Sequence, residues 1–342
     1  MQFAFTEDQQ AITGAARDML VESCTPSDLR RLLAEGATID QGRWTTIQEM
    51  GLLGLLAPQG EGGMGLGLVD LVGITEAAGY VALPEPLVTQ AGIAVPLLAG
   101  LADSRGWLER AIAGAIVAIG HRANPAVANA DAAEAFLLVN GDDLHLVERK
   151  DVTLTPQHSI DPFRSLAKVE WTPGEANRVR TGYSDTADRG ALLSAAELIG
   201  LAQRCIDMAV DYAKERKQFG RAIGSNQAVK HLLAQAQVKV EFARPVVHAA
   251  AFELPLGTLA SKARIAHAKI AAGAAADLAA RTAVQVHGAM GMTWEVDLHF
   301  FLKRALALNY AWGTPTAHRA TVIERITSLP TGADATFASE AA

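Results

Sequence analysis

Cysteine is nearly absent, with Cys24 and Cys205 the only two in 342 residues. They stand in no CxxC or other ligand-like spacing, which argues against a disulfide framework and a metal site and fits a reducing cytoplasm. Basic runs are missing as well. With 30 Lys and Arg against 37 Asp and Glu the formal net charge is −7, so no nucleic-acid partner is expected and any bound phosphate must be held locally. Long apolar runs are also lacking. The longest, from about Ala91 to Ala102, is interrupted by Pro96 and too short for a bilayer, and the opening MQFAFTEDQQ has neither a basic nor an apolar leader region. A soluble cytoplasmic protein without membrane insertion is expected, and no internal repeat is visible.

Half of the residues are hydrophobic, enough for two or three cooperating domains around a large core. Thr6 and Gln9 have capping-box spacing, so a first helix is expected from Glu7 with Ile12, Ala16, Met19 and Leu20 on one face. A second helical stretch, about Trp44 to Leu56, runs into APQGEGGMGLG, whose five glycines mark a loop. Helical pattern resumes at about Leu68 and reaches roughly Gly114, with breaks expected at Pro84, Pro86 and Pro96. Then the period changes: IVAIG, FLLVN, LHLVE and KVEW read as strands, with a hairpin turn at Gly141-Asp142-Asp143. Beyond about Ser184 the chain is Ala-rich, with helices near 186–216, 226–254, 258–287 and 295–310. Val229, Leu232, Leu233, Ala236, Val240 and Ala243 repeat as one face of a bundle helix. The fold class is α+β, mostly α: an N-terminal helical domain over 1–114, a small middle β domain over 115–184, a C-terminal four-helix bundle over 185–328, and a disordered tail over 329–342.

Two segments between long helices carry chemistry. In RKQFGRAIGSNQAVKH, Arg216 to His231, a plain reading ends one helix at Gly220 and Gly224 with Arg216 and Lys217 at the negative end of its dipole. In QVHGAMGMTWEVDLHFFLKRA, Gln285 to Ala305, Gly288 and Gly291 let backbone N–H groups approach a ligand, and such amides suit phosphate; a glycine hinge is the plain alternative.

In this order and separated by two long helices, the segments resemble the RxxFGxxIGxxQ and QxxGGxGxTxE motifs of the acyl-CoA dehydrogenase flavoproteins. EMGLLGLLAPQGEGGMGLG, followed by Glu76-Ala77-Ala78-Gly79, is similar to that family's N-terminal helical domain. The resemblance implies an acyl-CoA thioester substrate and an FAD shared across a subunit interface. Carried over by position, Arg216, Phe219, Gln227, Gln285, Gly288 and Ala289 would serve the cofactor on the neighbouring subunit. An arginine fork suits a diphosphate, and glutamine donates without adding negative charge. Ala289 departs from the family's second glycine.

The reaction implied needs a base for the α-proton while a hydride leaves the β-carbon. The family's glutamate precedes a Gly-Thr pair; here that pair is Gly313-Thr314 and Trp312 precedes it, with no basic atom to offer. Other members carry the base about 26 residues before the arginine, where this chain has Gly190 between Arg189 and Ala191. Asp188 is the nearest carboxylate, two positions off on another helix face, and is a weak candidate. The loop after IVAIG reads His121-Arg122-Ala123-Asn124-Pro125 rather than the family's TEPxxGSD-like sequence; His121 tempts as an acid–base group, but a lone loop histidine is more often structural. Adenine-side motifs that persist beside a lost base resemble the non-catalytic subunits of short bacterial hetero-oligomers, notably those that shorten sterol side chains. The expectation is such a subunit, paired with a homologous catalytic chain or with itself as a dimer or dimer of dimers. A competent homomeric dehydrogenase with a displaced base, and a non-enzymatic CoA-thioester or protein-binding module, are the alternatives.

Overall fold

Thr6 caps α1 (Glu7–Ser23) in a reciprocal capping box with Gln9, and the Gln9 amide also reaches Asp70 at 2.9 Å, tying α1 to the start of α4 (Leu68–Tyr80). The computed structural model describes residues 4–181 and 186–332. Residues 333–342, most of the expected tail, and the expected boundary at 184 lie outside the described residues. Between those first helices come α2 (Pro26–Glu35), capped by Thr25, and α3 (Gln41–Glu49), capped by Asp40. The helix expected to run to Leu56 stops at Glu49 because Gly51 takes a left-handed φ of +72°, and only a 3₁₀ turn, Leu52–Gly54, follows.

The break expected at Pro96 does not occur. A π-helical stretch, Gln90–Ala94, lies between α5 (Leu87–Thr89) and α6 (Val95–Ala99), and the widened turn admits a ring that would clash in a regular helix interior. Buried Gln90 within it donates to the carbonyls of Ala111, in α7 (Trp107–Ile112), and Ala115, and accepts from the Val117 amide at 3.1 Å. One side chain thus fastens the helical region to the first strand.

The β region forms two small sheets. β1 (Val117–Gly120), β3 (Ala135–Asn140), β4 (Asp143–Glu148) and β7 (Arg178–Arg180) make one, in the order β1-β3-β4-β7. β2 (Val127–Ala128), β6 (Leu166–Glu170) and β5 (Thr153–Gln157) make the other, in the order β2-β6-β5. Asn140 pairs with Asp143 across Gly141-Asp142, so the expected hairpin is a two-residue one, with Gly141 at φ +60°. β1 runs parallel to β3, since the chain between them crosses to the second sheet through β2 before returning.

Four helices form the C-terminal bundle: α8 (Thr186–Glu215), α9 (Gln227–Glu253), α10 (Leu259–His287) and α11 (Leu298–Tyr310). A fifth, α12 (Pro315–Ser328), has no buried residue and lies along α10. Helix α8 joins the bundle to the N-terminal helices through a glycine crossing with α4. A Cβ at Gly200 would fall 1.9 Å from the Glu76 carbonyl oxygen, and one at Gly79 would fall 2.1 Å from that of Glu197. Gly200→Ala must therefore spread the two helices, and a loss of about 1–3 kcal/mol or more is expected, measured as a lower urea midpoint at unchanged m. Cys24 and Cys205 are both free and buried, and burial pushes each thiol up to about 12. Among the described residues no helix is long and apolar enough to cross a membrane.

Candidate functional site

The two motif segments meet at one end of the bundle. Tyr212, one turn before Arg216, stacks on His287 with ring centroids 4.3 Å apart, which brings the end of α8 to the end of α10. Beyond α8 the chain forms a two-stranded hairpin, β8 (Lys217–Gln218) and β9 (Arg221–Ala222), turned by Phe219 and Gly220 at φ +52° and +78°. Positive φ is uncommon for a bulky residue, and here the ring at the tip is also fully exposed. The tip thus combines backbone strain with uncovered apolar surface. Arg216, Gln227, Gln285, Gly288 and Ala289 are likewise exposed. Neither the Arg216 guanidinium nor the amides of Gln227 and Gln285 have a partner among the described residues. Met292 and Trp294, just past α10, add exposed apolar surface, with Lys303 4.3 Å over the Trp294 ring.

None of these six carried-over residues reaches the cleft between α5, the π turn, β1, α8 and α11. One part of it holds Trp312 and Gly190. The Trp312 indole sits so close over the α8 backbone that a Cβ at Gly190 would fall 2.1 Å from its Cδ2. Only glycine at 190 leaves room for this ring. Trp312 is 6% exposed, takes φ +59°, and donates its backbone N–H to Asn124 Oδ1 at 2.7 Å. His121, from the same loop as Asn124, has its ring 5.9 Å from that of Trp312 and accepts from the Ala123 amide through Nδ1; burial lowers its pKa. This ties His121 to loop structure rather than to the cleft. Asp188, in the first turn of α8, does not line the cleft either.

Another part of the cleft holds charges that the motif comparison did not single out. Glu197 lies seven residues along α8 from Gly190, on the face that carries Leu193 and Ser194. Burial raises its pKa, opposed by Arg304, Arg164 and Lys269. Arg304 is 4% exposed, donates through Nε to Asp161 and through Nη1 to the Leu83 carbonyl at 2.8 Å. Glu85 is closed off by a bidentate pair with buried Arg43, both bonds 2.8 Å long. Lys269, fully buried and donating to the Leu308 carbonyl, is brought down to about 7 by burial, against the pull of Glu197. The helical i, i+7 spacing of Gly190 and Glu197 was the available signal for the carboxylate. Nothing local in the sequence links Arg164 or Arg304 to it.

The acyl-CoA dehydrogenase N-terminal domain matches residues 6–113, and the C-terminal domain of that family matches residues 184–327. The acyl-CoA dehydrogenase IpdE2 of Mycobacterium tuberculosis is 33% identical over 302 residues, 87% of this chain and 91% of its own length. The chain belongs to the acyl-CoA dehydrogenase family. IpdE2 of Mycolicibacterium smegmatis is equally similar, 33% identical over 316 residues, 91% of this chain and 96% of that protein. Among solved structures, the ChsE4-ChsE5 complex from Mycobacterium tuberculosis contains a chain with a TM-score of 0.84 at 24% identity, covering 97% of this chain and all of that one. A glutaryl-CoA dehydrogenase bound to glutaryl-CoA gives 0.83 at 20%, covering 95% and 96%. These two establish the shared fold of this acyl-CoA dehydrogenase-family chain.

Several histidines of the bundle and its surroundings are held neutral. Burial, reinforced by Arg244, Lys303 and Lys269 respectively, lowers His248, His299 and His318 to about 4. Each has a folded pKa below its unfolded one, so between about pH 6.5 and 4 the unfolded chain binds more protons. Stability is expected to fall as the pH drops through this window and to level off below it. About 1–3 kcal/mol for each histidine is expected after solvent screening, checked by urea unfolding from pH 7 to 4.

Proposed function

We propose that this chain is the non-catalytic member of an acyl-CoA dehydrogenase pair, completing a homologous partner's FAD site while its own cleft lacks a base. The observation that carries the reading is the Trp312 ring seated on Gly190: the two positions at which family members place the base are here in van der Waals contact and hold no titratable group. The acyl cleft is also nearly filled, with about 70 Å³ of free space against roughly 300–1,000 Å³ for ordinary small-molecule sites.

The residues carried over for the cofactor fit it. Arg216, Gln227 and Gln285 present unspent donors beside exposed Gly288 and Ala289, and Phe219 offers an apolar face at the hairpin tip. FAD, when bound, supplies the acceptor for the substrate hydride. In this role Arg216 neutralises and orients a diphosphate by a charge-assisted fork, Gln285 and Gln227 donate to neutral or anionic oxygens, and Phe219 covers an apolar surface of the partner. Exposure of all six on the isolated chain suits a site shared between subunits, in a dimer or dimer of dimers. The relative ChsE4-ChsE5 is itself a complex of two named chains. Residues 1–114, 115–184 and 185–328 serve as the three domains of this reading.

One observation favours a second reading, that of a competent enzyme with a displaced base: Glu197 is a cleft carboxylate with a raised pKa. It lies two turns, about 10 Å, along α8 from Gly190, which puts it out of hydrogen-bond reach of a substrate carbon held at either family position. Co-expression with a homologous dehydrogenase chain tests the proposal. A chain that is colourless alone and gains flavin in the pair supports it; a yellow chain bleached by an acyl-CoA supports the second reading; a chain colourless in every pairing supports a binding module without flavin.

A further inference from the structure

The charged part of the cleft contains more hydrogen-bonding capacity than the protein uses. Arg304 Nη2 is buried with no partner, although the other two nitrogens of that guanidinium are occupied. Arg164 lines the same cleft, and its guanidinium makes no hydrogen bond or ion pair among the described residues; only its backbone N–H is engaged, donating to the Asp161 carbonyl at 3.2 Å. Glu197, also lining the cleft and like Arg164 partly exposed, has no hydrogen bond among the described residues either. Buried polar groups are almost always satisfied, and Arg304 Nη2 is not. One buried, unpartnered donor and two partly exposed charged side chains face this one small space, which is built for something that answers them.

Charge and shape narrow the answer. The pairs Arg43–Glu85 and Arg304–Asp161 are closed and cancel. What remains facing the space is the positive charge of Arg164, a donor on Arg304, and the Glu197 carboxyl, whose pKa burial raises against the pull of Arg304, Arg164 and Lys269. A single carboxylate would accept from the Arg164 fork and from Arg304 Nη2, and would take the proton of a neutral Glu197 as a hydrogen bond. The rest of the lining, including Val88, Ile93, Val117, Leu193 and Leu308, is aliphatic, and the free space of about 70 Å³ admits only a short chain. We infer that this part of the cleft, with Arg164 and Arg304 as anion donors and Glu197 as the hydrogen-bonding partner, is a binding site for a short aliphatic carboxylate. None of the exposed residues assigned to FAD lines this site.

The carboxylate has two sources, a free short-chain acid or the distal carboxylate of an acyl thioester, and the same titration distinguishes them. The purified chain at pH 6 is titrated by calorimetry, at constant ionic strength, with propionate, propionamide, inorganic phosphate and succinyl-CoA. Saturable binding of propionate, with propionamide and phosphate inert, is the expected result. Succinyl-CoA binding alone would retain the site but assign it to the distal end of a thioester. Arg164→Gln should weaken carboxylate binding at least about tenfold, the value of one charged hydrogen bond. Glu197→Gln, which keeps a donor beside the carboxylate, should retain it and extend it to higher pH. Should Arg164→Gln fail to fold, carbon-13 NMR of labelled propionate with wild type and Glu197→Gln decides the matter. No saturable carboxylate binding to wild type, equal binding of phosphate, or affinity untouched by Arg164→Gln in a folded protein would overturn the inference.

Discussion

Arg216→Ala is expected to release FAD from the assembled complex, weakening its retention by roughly ten- to a hundredfold, the scale of one hydrogen bond to a charged group. The folded chain gives this arginine nothing else to do. Its side chain is exposed and unpartnered among the described residues, while its backbone is fixed by an N–H donated to the Tyr212 carbonyl at 2.8 Å and a carbonyl accepting from Ile223 at 2.8 Å. Substitution should leave the melting temperature of the chain unchanged. Arg216→Lys should restore only part of the affinity, since a point charge replaces a planar fork. Phe219 supplies an internal comparison. Phe219→Gly relieves a positive φ and removes an uncovered ring, so it should stabilise the isolated chain slightly while still weakening flavin retention or pairing. Flavin absorbance of the purified complex after gel filtration, at equal subunit content, checks all three variants. Unchanged flavin content in Arg216→Ala would count against the assignment.

Trp312→Ala should destabilise the chain by about 3–5 kcal/mol, the usual cost of truncating a buried aromatic, yet leave turnover of the complex within a few-fold per folded protein. The two halves of this prediction separate packing from catalysis. The ring is buried against Gly190, so its removal opens a cavity that the α8 backbone cannot fill. It has no basic atom, so no proton transfer is lost. Asp188→Asn should likewise leave turnover within a few-fold, because Asp188 does not line the cleft. General-base removal costs on the order of 10²–10⁴ in rate, which leaves the assay ample range. Loss of turnover in Asp188→Asn without unfolding would make Asp188 the displaced base after all.

The parts of this fold that were legible from sequence are those specified by local pattern. Thr6 with Gln9 placed the start of α1, the shift from helical to alternating period marked the strands, and Gly141-Asp142 marked the β3–β4 hairpin. Misreadings arose where tertiary geometry overrode local rules. Gly51 ended α3 early, and the π turn carried the chain through Pro96. For the site, motif spacing selected the exposed residues around Arg216 and Gln285. It could not reveal that Trp312 and Gly190, far apart in the chain, are in contact. Glu197 shares a helix face with Gly190, but its significance depends on Arg164 and Arg304, which come from distant segments and meet it only in the folded protein.

The most direct measurement of the central claim is anaerobic stopped-flow flavin reduction by the purified chain, alone and after reconstitution with excess FAD, against a panel of acyl-CoAs of varied length and branching. With Trp312 and Gly190 at both positions where the family carries its base, the account predicts no acyl-CoA-dependent bleaching, and bleaching only when a homologous catalytic subunit is added. Reduction by the chain alone at about 1 s⁻¹ or faster, within the ordinary range of enzyme turnover, would contradict it.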